Sequence, residues 1–136
     1  MVAIEMEYLG DLHCKATHGP SGTTLETDAP KDNQGRGESF SPTDLVATAL
    51  GTCILTTMGI LARNIGVDLA GASASVTKEM ATVPTRRLGS LAVTLKMPAG
   101  VSAENRIKLE RAAHTCPVHK SMHPDVAMPI TFVWPD

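Results

Sequence analysis

Apolar Val2, Ile4, Met6 and Tyr8 alternate with Ala3, Glu5 and Glu7, the period-two pattern of a half-buried strand. Gly10-Asp11 marks a turn, after which Leu12, Cys14 and Ala16 alternate with His13, Lys15 and Thr17. Cys14 therefore reads as packing on an apolar strand face. A second turn, Gly19-Pro20-Ser21-Gly22, leads to a strand around Thr23–Thr27, and the whole opening segment predicts an antiparallel meander. Residues 28–40, DAPKDNQGRGESF, are polar and rich in turn formers, which predicts a loop.

At Ser41 the pattern changes. Between Leu45 and Ala62 there is no charge, only apolar, Gly and Thr positions. Ser41 is a good N-cap, Pro42 suits the first helical position, and Asp44 completes a capping-box spacing. Gly66 is a natural stop, with Arg63 in the last turn. The stretch Ser41–Gly66 predicts one long helix, apolar nearly all round and buried on most sides. Its uncharged run is near the minimum for a bilayer span, but four Thr and two Gly favour a core helix over a membrane segment.

Beyond it, Ala72, Ala74, Val76, Lys78 and Met80 alternate with polar positions, Pro84–Arg87 turns the chain, and Leu91, Val93, Leu95 and Met97 complete a hairpin. Ser102 caps a second helix whose Leu109, Ala112, Ala113 and Cys116 share one face. Pro117 disfavours helical geometry at Cys116, so this helix breaks there. Pro117 can start a new turn with Cys116 as its N-cap, a setting that lowers a thiol pKa. Pro129–Trp134 is a last strand. The order βββ-α-ββ-α-β predicts an α+β fold, with antiparallel strands around a long buried central helix, in a single domain over residues 1–136.

Composition narrows the function. A net charge of −2, no basic run and 3% aromatic residues leave no footprint for nucleic acid. The opening MVAIEMEYLG lacks the basic and apolar regions of a secretion signal, which points to the cytoplasm. Three cysteines, an odd number, do not make a secreted disulfide framework. In a reducing compartment a Cys pair is catalytic or metal-binding.

Cys53, in the middle of the central helix, and Cys116, at the end of another apolar face, are the candidate pair. Each alone reads as a buried structural thiol. Together they suit peroxide reduction, in which a thiolate opens the O–O bond and a second thiol condenses with the resulting sulfenic acid. The competing reading is a non-enzymatic zinc-binding or redox-sensing protein. Cys116, His119 and His123 form a C-x2-H-x3-H string to which Cys53 would add a fourth ligand. A Cys-His hydrolase lacks an oriented third group.

SPTDLVATALGTC, followed some sixty residues later by CPVHKSM, resembles the OsmC/Ohr family, the osmotically inducible and organic hydroperoxide resistance proteins, on its OsmC-like branch. The resemblance implies an intertwined homodimer with sites at the subunit interface. It implies thiol-dependent reduction of small-molecule hydroperoxides, with Cys53 peroxidatic, Cys116 resolving, no bound cofactor and an external thiol or dithiol reductant. The acid near the helix start is Asp44, with Thr43 directly after the proline. Arg36 is the best-placed candidate for the arginine that serves the thiolate. Apolar Leu50, Ile54 and Ile60 would wall the thiol and favour organic peroxides.

Overall fold

The computed structural model describes residues 1–135, which form two compact units, residues 1–46 and the chain from residue 47 onward. In the first unit, β1 (Ile4–Gly10), β2 (His13–His18) and β3 (Thr24–Asp28) form an antiparallel sheet in that order. The β1–β2 turn falls at Asp11 and Leu12, both left-handed with φ 53° and 62°, as a tight two-residue hairpin requires. Leu12 thus belongs to the turn and not to the strand face where its apolar character placed it.

Register puts Cys14 between Tyr8 and Thr27, and Ala16 between Met6 and Leu25, so one face of this sheet is apolar. That face is open in the single chain, with Ile4, Met6 and Tyr8 exposed by 51%, 68% and 63%. The segment after β3 is tied down by the buried Asp28. Its amide donates to the Phe40 carbonyl and its Oδ2 accepts from the Glu38 amide.

Helix α1 (Pro42–Asn64) opens on the anticipated capping box. The Asp44 amide donates to Ser41 Oγ at 3.1 Å, and the Ser41 amide donates to Asp44 Oδ2 at 2.9 Å. It closes on Gly66, at φ 72°, with the Val67 amide donating to the Ala62 carbonyl. Burial along α1 is one-sided rather than all-round. Ala47, Leu50, Gly51, Ile54, Met58 and Ala62 are buried, while Thr48, Thr52, Thr56 and Ile60 form an exposed stripe. Thr52 and Thr56 each donate their hydroxyl to the carbonyl four residues back, so what they offer outward is largely methyl. By length and composition α1 could cross a bilayer, but its buried stripe packs on the sheet of the second unit.

That sheet is β4 (Ser73–Ala81), β5 (Arg87–Lys96) and β6 (Ile130–Val133). A Cβ on Gly51 would sit 3.0 Å from Val76 Cγ2, which fixes α1 against the β4 face. Val76 pairs with Val93, and Leu95 with Phe132, so this covered face also carries Leu91, Val93 and Leu95 of the core. Helix α2 (Ala103–Ala113) adds buried Leu109 and Ala113, with Ser102 Oγ accepting from the Asn105 amide as its cap. A third helix, α3 (Pro117–Ser121), precedes β6. The strands pair antiparallel except β6, which adds to β5 in parallel after the crossover through α2 and α3. The architecture is α+β.

Candidate active site

The second unit brings the sequence-selected thiols together. Helix α2 ends at Ala113, three residues before Cys116, because Pro117 forbids the helical continuation. Cys116 is extended, at φ −62° and ψ 136°, and caps α3. Its Sγ accepts from the His119 amide at 3.2 Å. Cys116 is fully buried, whereas Cys53 is half-buried, and Cys53 is close enough to act electrostatically on the Cys116 thiol. Both carry free thiols.

Capping by itself lowers a thiol pKa. The opposite direction holds: burial pushes the thiol up, the His119 amide pulls against it, and the neighbouring Cys53 adds to the rise. Desolvation of a fully buried sulfur outweighs the backbone N–H bonds. The His119 and Val118 amides are site groups that residue types alone do not name. The signal was present, since a capping side chain bonds the amide two or three residues on.

The histidines of the zinc reading go elsewhere. The His119 ring meets His114 edge-on at 6.1 Å between centroids, and burial followed by His114 and Lys120 holds its pKa below the ordinary imidazole value. His123 is exposed and its Nδ1 accepts from the Asp125 amide. Among the described residues, no three His, Cys, Asp or Glu side chains gather as a metal-ligand set.

The remaining candidates lie in the first unit. Asp44 is engaged in the capping box. Arg36 is exposed and lines a cleft of about 250 Å³ with Leu9, Gly10, Asp11, His13, Asp28 and Glu38. Cys14 stands on the apolar face of the first sheet, between Tyr8 and Thr27. Of the three proposed wall residues, Leu50 and Ile54 are fully buried core, and Ile60 is 61% exposed. Ile60 lies seven residues from Cys53 and so on its face of the helix.

A sequence model of the OsmC-like protein family matches residues 35–130. No curated protein matches the chain. Among solved structures, a Psychrobacter arcticus protein provisionally described as an osmotic stress induced and detoxification response protein is 42% identical. It superposes with a TM-score of 0.91 over 98% of this chain and 96% of that one. An organic hydroperoxide resistance protein of Legionella pneumophila is 16% identical, with a TM-score of 0.79 over 97% and 96% of the two chains. One from Elizabethkingia anophelis is 14% identical, with a TM-score of 0.80 over 99% and 96%. At these last identities the likeness concerns the fold.

Proposed function

The chain belongs to the OsmC-like protein family, and from that premise we propose that it is a cysteine-based peroxidase that reduces organic hydroperoxides. The observation that carries this reading is the neighbouring pair of free thiols, Cys53 half-buried and Cys116 fully buried. Cys53 thiolate attacks the O–O bond, the peroxide leaves as an alcohol after taking a proton from water, and Cys53 becomes a sulfenic acid. Cys116 then attacks the Cys53 sulfur, hydroxide departs with a proton as water, and a disulfide forms. The sum is one hydroperoxide and two thiols giving one alcohol, one water and one disulfide. Two equivalents of an external thiol, or one dithiol, restore the pair with no bound cofactor.

The test is mass spectrometry after one equivalent of organic hydroperoxide. The protein should lose two hydrogen atoms as a single Cys53–Cys116 disulfide, and one zinc per chain in protein purified without chelator would defeat the reading.

Arg36 and Asp44 are assigned supporting roles toward thiolate and hydroperoxide, a reading supported by their position in the region the family model matches. For Asp44 the expected result separates chemistry from capping. Asp44→Asn keeps an oxygen able to accept from Ser41 and loses only the charge, worth well under ~1 kcal/mol at a helix start. Peroxide reduction should nonetheless fall tenfold or more, about 1.4 kcal/mol of barrier. Equally small losses in melting temperature and in turnover would leave Asp44 a cap and nothing else.

The working assembly is a cytoplasmic homodimer. Support comes from the open apolar face of Ile4, Met6, Tyr8 and Leu25 and from the exposed Ile60, surface that a second copy would cover. Sedimentation should give a dimer at micromolar concentration. A folded monomer there would refute the assembly.

A further inference from the structure

The cleft of about 250 Å³ in the first unit lies where the end of β1, the start of β2 and the end of β3 come together. His13 stands opposite Asp28 and beside Gly10 in the sheet register. The loop that follows β3 brings Arg36 and Glu38 to the same opening. Main-chain bonds hold that loop in place. The Ala29 amide donates to the Leu12 carbonyl at 3.1 Å, and the Gly37 amide to the Ala29 carbonyl at 3.2 Å. A side chain at Gly35 would collide with the Ala29 carbonyl, so the loop lies directly on the chain leaving β3. Walls fixed in advance lower the cost of ordering a ligand.

Asp11, Asp28 and Glu38 bring three carboxylates to this cleft, and Arg36 brings one guanidinium. Asp28 is only 4% exposed. Its Oδ2 accepts from the Glu38 amide at 3.2 Å, and among the described residues its Oδ1 has no donor. His13 does not supply one, because its Nε2 lies 3.2 Å from Glu26 Oε1. A carboxylate only accepts, so that nitrogen carries the proton and Nδ1 of the neutral ring is a further acceptor. Nor does Arg36 supply one: among the described residues, no ion pair joins it to any of the three acids. A buried carboxylate with unmet acceptor capacity on a cavity wall calls for a charged donor from outside the chain. The guanidinium beside it calls for an anion.

We propose that this cleft binds a small α-amino acid carrying a second amine, with the ligand carboxylate on Arg36 and its ammonium groups on Asp28 and on the exposed Asp11 and Glu38. The charge count sets the class. Three carboxylates against one guanidinium select a ligand of net positive charge, and the unpaired guanidinium requires that it also carry an anion. Volume sets the size. The cleft falls below the roughly 300–1,000 Å³ of drug-sized sites. At the ~30 Å³ that one water occupies in the liquid, it holds about eight non-hydrogen atoms, close to the size of ornithine. The site lies wholly in the first unit and goes beyond the supporting role proposed for Arg36.

The experiment is calorimetric titration of the full chain with ornithine, without peroxide, at neutral pH and low salt. Ornithine should bind at one per chain with a dissociation constant below about 1 mM. Putrescine lacks the carboxylate and norvaline lacks the second amine, so each should bind about tenfold more weakly, as losing a charged hydrogen bond does. Arg36→Gln, at an exposed position, should weaken ornithine by about tenfold and should not weaken putrescine. Asp28→Asn keeps an oxygen for the Glu38 amide and should weaken both amines. If Asn at this buried position unsettles the fold, the Arg36 variant still decides. Absence of saturable ornithine binding to the parent protein overturns the proposal. So does putrescine matching ornithine, or Arg36→Gln weakening the two alike. No hydroperoxide enters this assay, so failure of the peroxidase reading would leave its result standing.

Discussion

Cys53→Ser should abolish peroxide consumption, because an alcohol is a far poorer nucleophile than a thiolate. Cys116→Ser should differ in kind. Its first turnover survives, but the Cys53 sulfenic acid finds no partner and advances to sulfinic acid under excess oxidant. Mass spectrometry separates the two outcomes, since the wild type loses two hydrogen atoms whereas Cys116→Ser gains oxygen on Cys53. Cys14→Ser should change neither, because Cys14 sits on the first sheet between Tyr8 and Thr27, in the unit that does not contain the thiol pair. If oxidation lands first on Cys14, or if Cys53→Ser still turns over, the assignment of these residues fails.

The largest expected effect on stability is at Ile54. It is fully buried on the sheet-facing stripe of α1, so Ile54→Ala loses the transfer free energy of the deleted carbons and leaves a cavity. The expected loss is about 2–5 kcal/mol, a large share of the roughly 5–15 kcal/mol that holds a domain folded. For a chain of this length that lowers the melting temperature by something like 10 °C. Ile60→Ala, on the same helix, is the control. Ile60 is 61% exposed in the single chain, so its truncation should cost far less than that of Ile54, and in the proposed dimer any loss should depend on protein concentration. A concentration-independent loss at Ile60 as large as that at Ile54 would contradict the one-sided burial of α1.

What the sequence by itself determined is local. The capping box of Ser41 and Asp44, the Gly66 stop, the Ser102 cap and the break at Pro117 that makes Cys116 a cap all arise within a few residues. Such features depend on bonds between near neighbours along the chain, and residue types there carry most of the information. Strand periodicity was legible for the same reason, because alternation needs only that one face be buried.

Tertiary structure decided the rest. Leu12 has an apolar side chain, yet it was drawn into the turn by the β1–β2 register. The parallel pairing of β6 with β5 depends on where the crossover through α2 and α3 returns the chain, which no local pattern encodes. An apolar helix does not announce which stripe the chain will cover, and only packing on β4 showed that Leu50, Ile54 and Met58 face inward while Ile60 does not. The meeting of Cys53 with Cys116 joins residues far apart in sequence. It also set the direction of the Cys116 pKa, because desolvation is a property of the assembled core and here exceeds the local N–H bonds that the capping position promised.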